Sequence, residues 1–305
     1  MTGPLTRSEA RKLHITSHDD EADFTTVELS DFKLSRAPHL HDGIQVVEIV
    51  RQVMLLLSPV LLSECCPDWE KCVTIAGSAP MAILENILKY SVTGELRGRW
   101  ASKETPTWGC NDVDVFVSGP DAACDNAFRS YTAKFTDRLK VASKDMGFPV
   151  VRRRRYKHRY ILHDRLVNIV QYEFSELCVS LQLIQAPTDQ NAGAVVKRFD
   201  INTVQVMLNP CTGLIHAPLD SVRNVEMGML DLNLDAFWPP RGDTEFELRK
   251  GLSTAERIEK YKRRGYGFHA TTERPGQTEI LDLLIDHGYI GTNSMPCSDS
   301  GEDSD

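Results

Sequence analysis

Residues 109–117 read GCNDVDVFV and place two aspartates, Asp112 and Asp114, inside a run of Val and Phe. The β-branched and aromatic residues predict a strand over residues 113–117. Alternate residues of a strand point to the same face, so the two carboxylates project side by side while the intervening valines face the other way. Like charges this close repel unless a cation lies between them. The stretch therefore indicates either a hydrated strand end or a divalent-cation site, for which Mg²⁺ is the simplest candidate.

Upstream, TIAGSAPMAIL (74–84) predicts a short strand that ends at Gly77-Ser78 and is followed by a helix over residues 80–92. Glycine allows a ligand to approach the backbone closely. The free N–H groups and partial positive charge of a helix N-terminus favour phosphate. The same residues also fit an ordinary turn with a capping serine. The sequence leaves both interpretations open.

Downstream, VVKRFDINTVQVML (195–208) predicts a strand over residues 200–208. Asp200 lies at its start, again a carboxylate in an apolar pattern. It is either a third acidic group of the same site or an aspartate that caps a turn.

The remaining pattern predicts an α/β (α+β) fold, with a mixed β-sheet core, flanking helices and a C-terminal helical portion. We predict a strand–turn–strand unit over 149–164, a strand over 177–185 and further helices over 43–63, 121–147, 219–234, 254–265 and 279–288. The predicted division is a disordered N-terminus (1–30), a core (31–210), a helical portion (211–290) and a disordered acidic tail (291–305).

Composition restricts the class of protein. The chain has 305 residues, of which 41% are hydrophobic, and a net charge of −8, so overall charge does not indicate nucleic-acid binding. The sequence has neither a long apolar run nor a secretory leader, so no membrane partner is expected. Its eight cysteines lack metal-ligand spacing and are interpreted as reduced thiols. These features predict an intracellular protein, cytoplasmic or nuclear, that is not secreted.

Three elements taken together resemble the polymerase-β-like nucleotidyltransferase superfamily. They are Ile75-Ala76-Gly77-Ser78, Asp112-Val113-Asp114-Val115 and Phe199-Asp200-Ile201, in the family's order, within about residues 70–210. RIEKYKRRGY (257–266) is similar to a helical signature of uncharacterised members of this group, including proteins of large DNA viruses and eukaryotic microbes. The family usually has a shorter segment before the Asp pair, so residues 89–111 are a departure from its pattern.

The resemblance implies a metal-dependent enzyme that transfers a nucleoside monophosphate from an NTP to a hydroxyl and releases pyrophosphate. The cofactor implied is Mg²⁺, as two ions, with Mn²⁺ as an alternative. Asp112 and Asp114 would be catalytic metal ligands. Asp200 would complete the set of ligands of the ion on the nucleophile side and accept the hydroxyl proton.

The resemblance also implies which residues bind the nucleotide. Gly77 and Ser78 would hold the β- and γ-phosphates. Arg257 and Lys260 recur with Arg264 near helical spacing, and form either a triphosphate or acceptor clamp or a solvated basic helix face. The acceptor is RNA, a protein hydroxyl or a small molecule.

One basic run and one alternative function remain open. RRRRYKHR (152–159) is a charged edge hairpin, a nuclear-import signal or a patch for an RNA backbone. A catalytically inactive nucleotidyltransferase-fold protein, acting as a binding or regulatory module, is the alternative to an enzyme. Retention of all three carboxylates favours the enzyme.

Overall fold

The computed structural model describes residues 24–28, 42–61, 73–90, 112–118, 125–162, 165–186, 192–233 and 244–268. Residues 91–111, most of the predicted disordered N-terminus, the acidic tail and the helix predicted over 279–288 lie outside these ranges.

The described residues form six helices and ten strands. The helices are α1 (Asp42–Leu61), α2 (Ser78–Tyr90), α3 (Asp125–Asp145), α4 (Ala192–Val196), α5 (Leu219–Met227) and α6 (Thr244–Arg263). The strands are β1 (Phe24–Glu28), β2 (Val73–Ala76), β3 (Asp112–Val117), β4 (Val150–Leu162), β5 (Arg165–Phe174), β6 (Ser180–Gln185), β7 (Met207–Leu208), β8 (Leu214–Pro218), β9 (Met229–Leu230) and β10 (Gly267–Phe268).

Eight strands form one mixed sheet in the order β1-β8-β7-β2-β3-β6-β5-β4. Strand β3 lies near the middle, antiparallel to β2 and parallel to β6. Strands β9 and β10 form a separate two-stranded parallel pair. The mixed sheet with flanking helices confirms the predicted α+β fold. In the described part of the chain, no helix is long and apolar enough to cross a membrane.

The two faces of β3 have different surroundings. Val113 and Val115 are fully buried in the main core, which also contains side chains of α1, α2 and α3 such as Phe135. On the opposite face Phe116 packs in a smaller apolar cluster with residues of α4. Asp112 and Asp114 precede Phe116 on this second face, and they are partly exposed. The period-two pattern therefore buries the valines and leaves both carboxylates at the end of the smaller cluster.

The prediction of a strand over residues 200–208 is wrong for most of that range. Residues Asn202–Val204 form a 3-10 turn, and only Met207–Leu208 join the sheet. The backbone N–H of Asn202 donates to Asp231 O at 2.8 Å, and the N–H of Asn233 donates to Asp200 O at 2.9 Å. Because the backbone at residues 200–202 pairs with residues 231–233, it is not available to the sheet.

The strand–turn–strand unit predicted over residues 149–164 is also wrong, because residues 150–162 form the single strand β4 at the edge of the sheet. The run lacks the Gly, Asn or Pro that a tight turn requires. It pairs with β5 instead, with a register shift between Tyr156 and Tyr160.

Smaller differences occur at both ends of the chain. Residues 24–28, assigned to the disordered N-terminus, form β1 and pair with β8. Strand β8 itself continues the sheet beyond residue 210. Helix α5 ends at Met227 rather than at residue 234, and Gly228, with a left-handed φ of 69°, forms its C-cap. Helix α6 begins at Thr244 rather than at residue 254.

Candidate active site

The structure places Asp112 and Asp114 on one face of β3. In the parallel pairing with β6, Asp112 lies opposite Ser180 and Asp114 lies opposite Gln182. Gln182 Nε2 donates a hydrogen bond to Asp112 Oδ2 at 3.3 Å. A neutral amide therefore orients one member of the acidic pair from the neighbouring strand.

The two carboxylates interact electrostatically. Burial of the Asp114 carboxyl raises its pKa well above the ordinary value, and the nearby Asp112 charge raises it further. Lys260 and then Arg257 act in the opposite direction and lower the pKa of Asp114. The net shift in the pKa of Asp114 is upward, so burial and the Asp112 charge together outweigh the two cations. Such a site favours a proton or an added cation.

Gly77 and Ser78 lie at the same end of the sheet as the Asp pair. Ala76, the last residue of β2, pairs antiparallel with Asp114, so the following turn runs toward the level of Asp112. Gly77 has a φ of 89°, a conformation that favours glycine. Its N–H donates to Val206 O at 3.1 Å, so this donor is used within the fold, and α2 begins at the next residue.

Phe199, the residue that precedes Asp200, packs on the second face of the sheet. The ring of Phe199 packs on that of Phe116, with 6.0 Å between centroids. Asp200 itself is only 3% exposed. Its Oδ2 accepts a hydrogen bond from Thr254 Oγ1 and lies 2.9 Å from Arg257 Nη2. Asp200 is therefore a buried carboxylate that connects the core to α6.

Helix α6 directs two cations toward the carboxylates. Arg257 forms the ion pair with Asp200, and Lys260 lies one turn further along and acts on Asp114. The Arg257 side chain is 44% exposed, so a ligand can reach it. Arg264 follows the end of the helix, and its guanidinium carbon lies 4.9 Å from the centroid of the Tyr261 ring.

The second half of the 257–266 signature docks α6 onto the core. Tyr261 and Tyr266 are nearly buried and meet edge to face, with centroids 6.0 Å apart. The Tyr266 hydroxyl donates a hydrogen bond to the fully buried Glu85 carboxylate of α2. The signature thus combines docking residues with the cations near the site.

The chemistry of the acidic pair fits Mg²⁺. This ion prefers oxygen ligands and is commonly bound by one or two carboxylates together with substrate phosphates. Asp112 and Asp114 supply two carboxylates on one face of β3, and Asp200 Oδ1 is a buried oxygen without a hydrogen-bond partner. Across the described ranges, no three Asp, Glu, His or Cys side chains lie together as a metal-binding group. The three-carboxylate, two-ion site therefore stays a prediction.

Several residues that shape the site are not among those predicted from the sequence. The position of Gln182 was partly predictable, because SLQLIQ alternates polar and apolar residues and so places Gln182 on a polar face of its strand. The roles of Thr254 and Glu85 could not be predicted from the local sequence. Their partners, Asp200 and Tyr266, are distant in sequence.

The raised pKa of Asp114 predicts an effect on stability. The folded state binds the Asp114 proton more tightly than the unfolded state does. The free energy of unfolding therefore decreases as the pH rises above about 4, the pKa of an aspartate in the unfolded chain. Asp114→Asn removes that loss. The metal-free variant should therefore melt above wild type at pH 7, by roughly 2–4 °C per kcal/mol recovered. At a pH near 3 the two melting temperatures should converge, as measured by thermal unfolding in EDTA, and a variant that melts below wild type at pH 7 would contradict this.

No family model and no curated protein match the sequence. The fold is similar to a solved structure described as a Thermotoga maritima CCA-adding enzyme complexed with tRNA, with a TM-score of 0.43 and 10% identity over 83% of this chain. It is also similar to one described as a tRNA-processing enzyme in apo form, with a TM-score of 0.38 and 11% identity over 82% of this chain. The matches cover 44% and 48% of those chains, so this chain spans less than half of either.

Proposed function

We propose that the protein is a metal-dependent nucleotidyltransferase, which transfers a nucleoside monophosphate from an NTP to a hydroxyl acceptor. The observation that carries the proposal is the Asp112–Asp114 pair on one face of β3, at the end of the sheet where α2 begins, with Lys260 and Arg257 near enough to lower the pKa of Asp114. Carboxylates for a cation and cations for phosphates are what a triphosphate requires. Membership of the polymerase-β-like superfamily, and of the branch with the 257–266 signature, is part of this proposal.

Each residue has a role in the proposed reaction. Asp112 and Asp114 would hold Mg²⁺, which would supply neutralisation of phosphate charge and activation of the hydroxyl. Lys260 and Arg257 bind the triphosphate from the side of α6, and the Gly77-Ser78 turn with the start of α2 binds its β- and γ-phosphates. The acceptor oxygen bonds to the α-phosphorus as the bond to the bridging oxygen breaks. Pyrophosphate leaves, and the hydroxyl proton passes to a carboxylate, a role that the resemblance gives to Asp200.

A second candidate is a nucleotide-binding module without catalysis. It is favoured by Asp200, whose Oδ2 is already occupied by Thr254 and Arg257. If Asp200 serves only to connect α6 to the core, two carboxylates remain for the cation. Such a site can bind a magnesium nucleotide and still lack the groups needed for transfer.

The test is incubation of the protein with each α-labelled NTP and Mg²⁺ or Mn²⁺, with RNA, protein or small alcohols as acceptors. The proposed enzyme yields a labelled acceptor and one pyrophosphate per transfer, and EDTA stops both. Calorimetry with Mg²⁺-ATP and Mg²⁺-GTP separates the two candidates. Tight binding with no transfer to any acceptor would replace the enzyme by the binding module, and absence of both would overturn the proposed site.

A further inference from the structure

The face of the sheet that carries the Asp pair continues across three more strands. Pairing places Asp114, Gln182, Gln171 and Arg154 in one transverse row, and Asp112, Ser180, Glu173 and Arg152 in the next. Paired residues of adjacent strands share a face. These eight residues, here called the polar face, therefore lie on the same side of the sheet, with carboxylates at one end and arginines at the other.

The polar face is open to solvent in the described part of the chain. Arg152 and Arg154 have side chains that are 58% and 41% exposed, and the residues between them and the Asp pair are partly exposed. The next row on the same face, Phe116, Ile184 and Ile169, is buried under α4. This apolar row borders the polar face on one side.

The dimensions suit a polymer better than a small acceptor. Adjacent strands lie about 4.8 Å apart, so three steps from β3 to β4 separate the Asp pair from the arginines by roughly 14 Å. A small molecule that reacts at Asp114 does not reach Arg154 over this distance. A chain of a few nucleotides does.

The arginines are suited to phosphate. The guanidinium group matches the geometry of phosphate oxygens and is always charged. Glu173 Oε1 lies 3.3 Å from Arg154 Nη2, and Glu173 Oε2 lies 4.0 Å from Arg152 Nη1. Exposed pairs of this kind are worth little, so one glutamate shared by two arginines leaves positive charge for a ligand.

We propose that the polar face binds the phosphodiester backbone of a single-stranded nucleic acid, with phosphates on Arg152 and Arg154 and a terminal hydroxyl directed to the Asp pair. The inference rests on the proposed function for the fate of that hydroxyl, and binding itself does not require transfer. Gln171, Gln182 and Ser180 supply hydrogen-bonding groups along the route. A duplex exposes its backbone on a wide cylinder and fits a flat row of side chains less well.

The experiment compares two charge-matched double variants of the full chain. One is R152Q/R154Q on the polar face. The control is R129Q/R155Q, which removes exposed arginines from α3 and from the opposite face of β4. Affinity for labelled single-stranded RNA and DNA oligonucleotides is measured by fluorescence anisotropy at several salt concentrations, and Mg²⁺-ATP affinity by calorimetry.

We expect R152Q/R154Q to bind oligonucleotide roughly 10-fold more weakly than wild type. The plot of log association constant against log salt concentration should become less steep by about 1.4, because two phosphate contacts are lost. The control should bind as wild type does, and both variants should keep the affinity for Mg²⁺-ATP. The RNA and DNA oligonucleotides identify the preferred sugar. Tighter binding of a duplex than of a single strand, or binding of a polyglutamate peptide as tightly as of a single-stranded oligonucleotide, would overturn the proposal.

The two proposals fail in different ways. If labelled nucleotide is transferred to RNA and R152Q/R154Q retains wild-type RNA affinity and KM, the proposed function stands and the polar face is not the acceptor site. If R152Q/R154Q alone loses RNA affinity and no transfer occurs with any NTP, the binding surface stands and the enzyme is overturned.

Discussion

Asp112→Asn and Asp114→Asn should each reduce the rate of nucleotidyl transfer by about 10²–10³-fold. A metal ion supplies several kcal/mol of charge stabilisation, and each 1.36 kcal/mol is tenfold in rate. Asparagine keeps the size of the side chain and removes the charge. The loss should appear in kcat, and in the affinity for Mg²⁺ measured by calorimetry in the presence of a non-hydrolysable NTP.

The matched control is Asp137→Asn, which removes one exposed carboxylate from α3 on the opposite side of the sheet. Its rate should remain within twofold of wild type. The folded state of all three variants is checked by thermal unfolding, since Asp114→Asn is expected to raise the melting temperature of the metal-free protein. Wild-type rates in both site variants would exclude the Asp pair from the reaction.

Local pattern was sufficient for the centre of the sheet. Strand β2, the Gly77 turn, helix α2 and strand β3 are each specified by residues close together in sequence, and their predicted positions agree with the structure within two residues. The alternation in β3 also predicted that both carboxylates share a face. These features depend on the backbone period and on local sterics, which a short window of sequence contains.

Contacts between distant segments could not be predicted in this way. Gln182 meets Asp112 only because β6 pairs with β3 in one register, and a shift of one residue would turn Gln182 to the core. Asp200 was expected on a strand because its neighbours are apolar. The competing backbone bonds to residues 231–233 and the partners on α6 lie too far away in sequence to be recognised.

The contact between Asp200 and α6 leads to the second large effect. Arg257→Met should lower the free energy of unfolding by about 3 kcal/mol, near the lower end for a broken buried ion pair, because Arg257 is half exposed and water can reach the gap. The Asp200 carboxylate, 3% exposed, would remain buried with Thr254 alone. Urea unfolding measures the change, and Arg263→Met, an exposed arginine of the same helix, should cost under about 0.5 kcal/mol.

The double variant Asp200→Asn/Arg257→Met should recover part of the stability lost by Arg257→Met, because it removes the uncompensated charge together with its partner. The same variants separate the two roles of Asp200. If Asp200 Oδ1 is a metal ligand, Asp200→Asn lowers Mg²⁺ affinity in the presence of NTP even where Arg257 is already replaced. If Asp200 only connects α6 to the core, Arg257→Met and the double variant bind Mg²⁺ equally, and the cation site contains Asp112 and Asp114 without it.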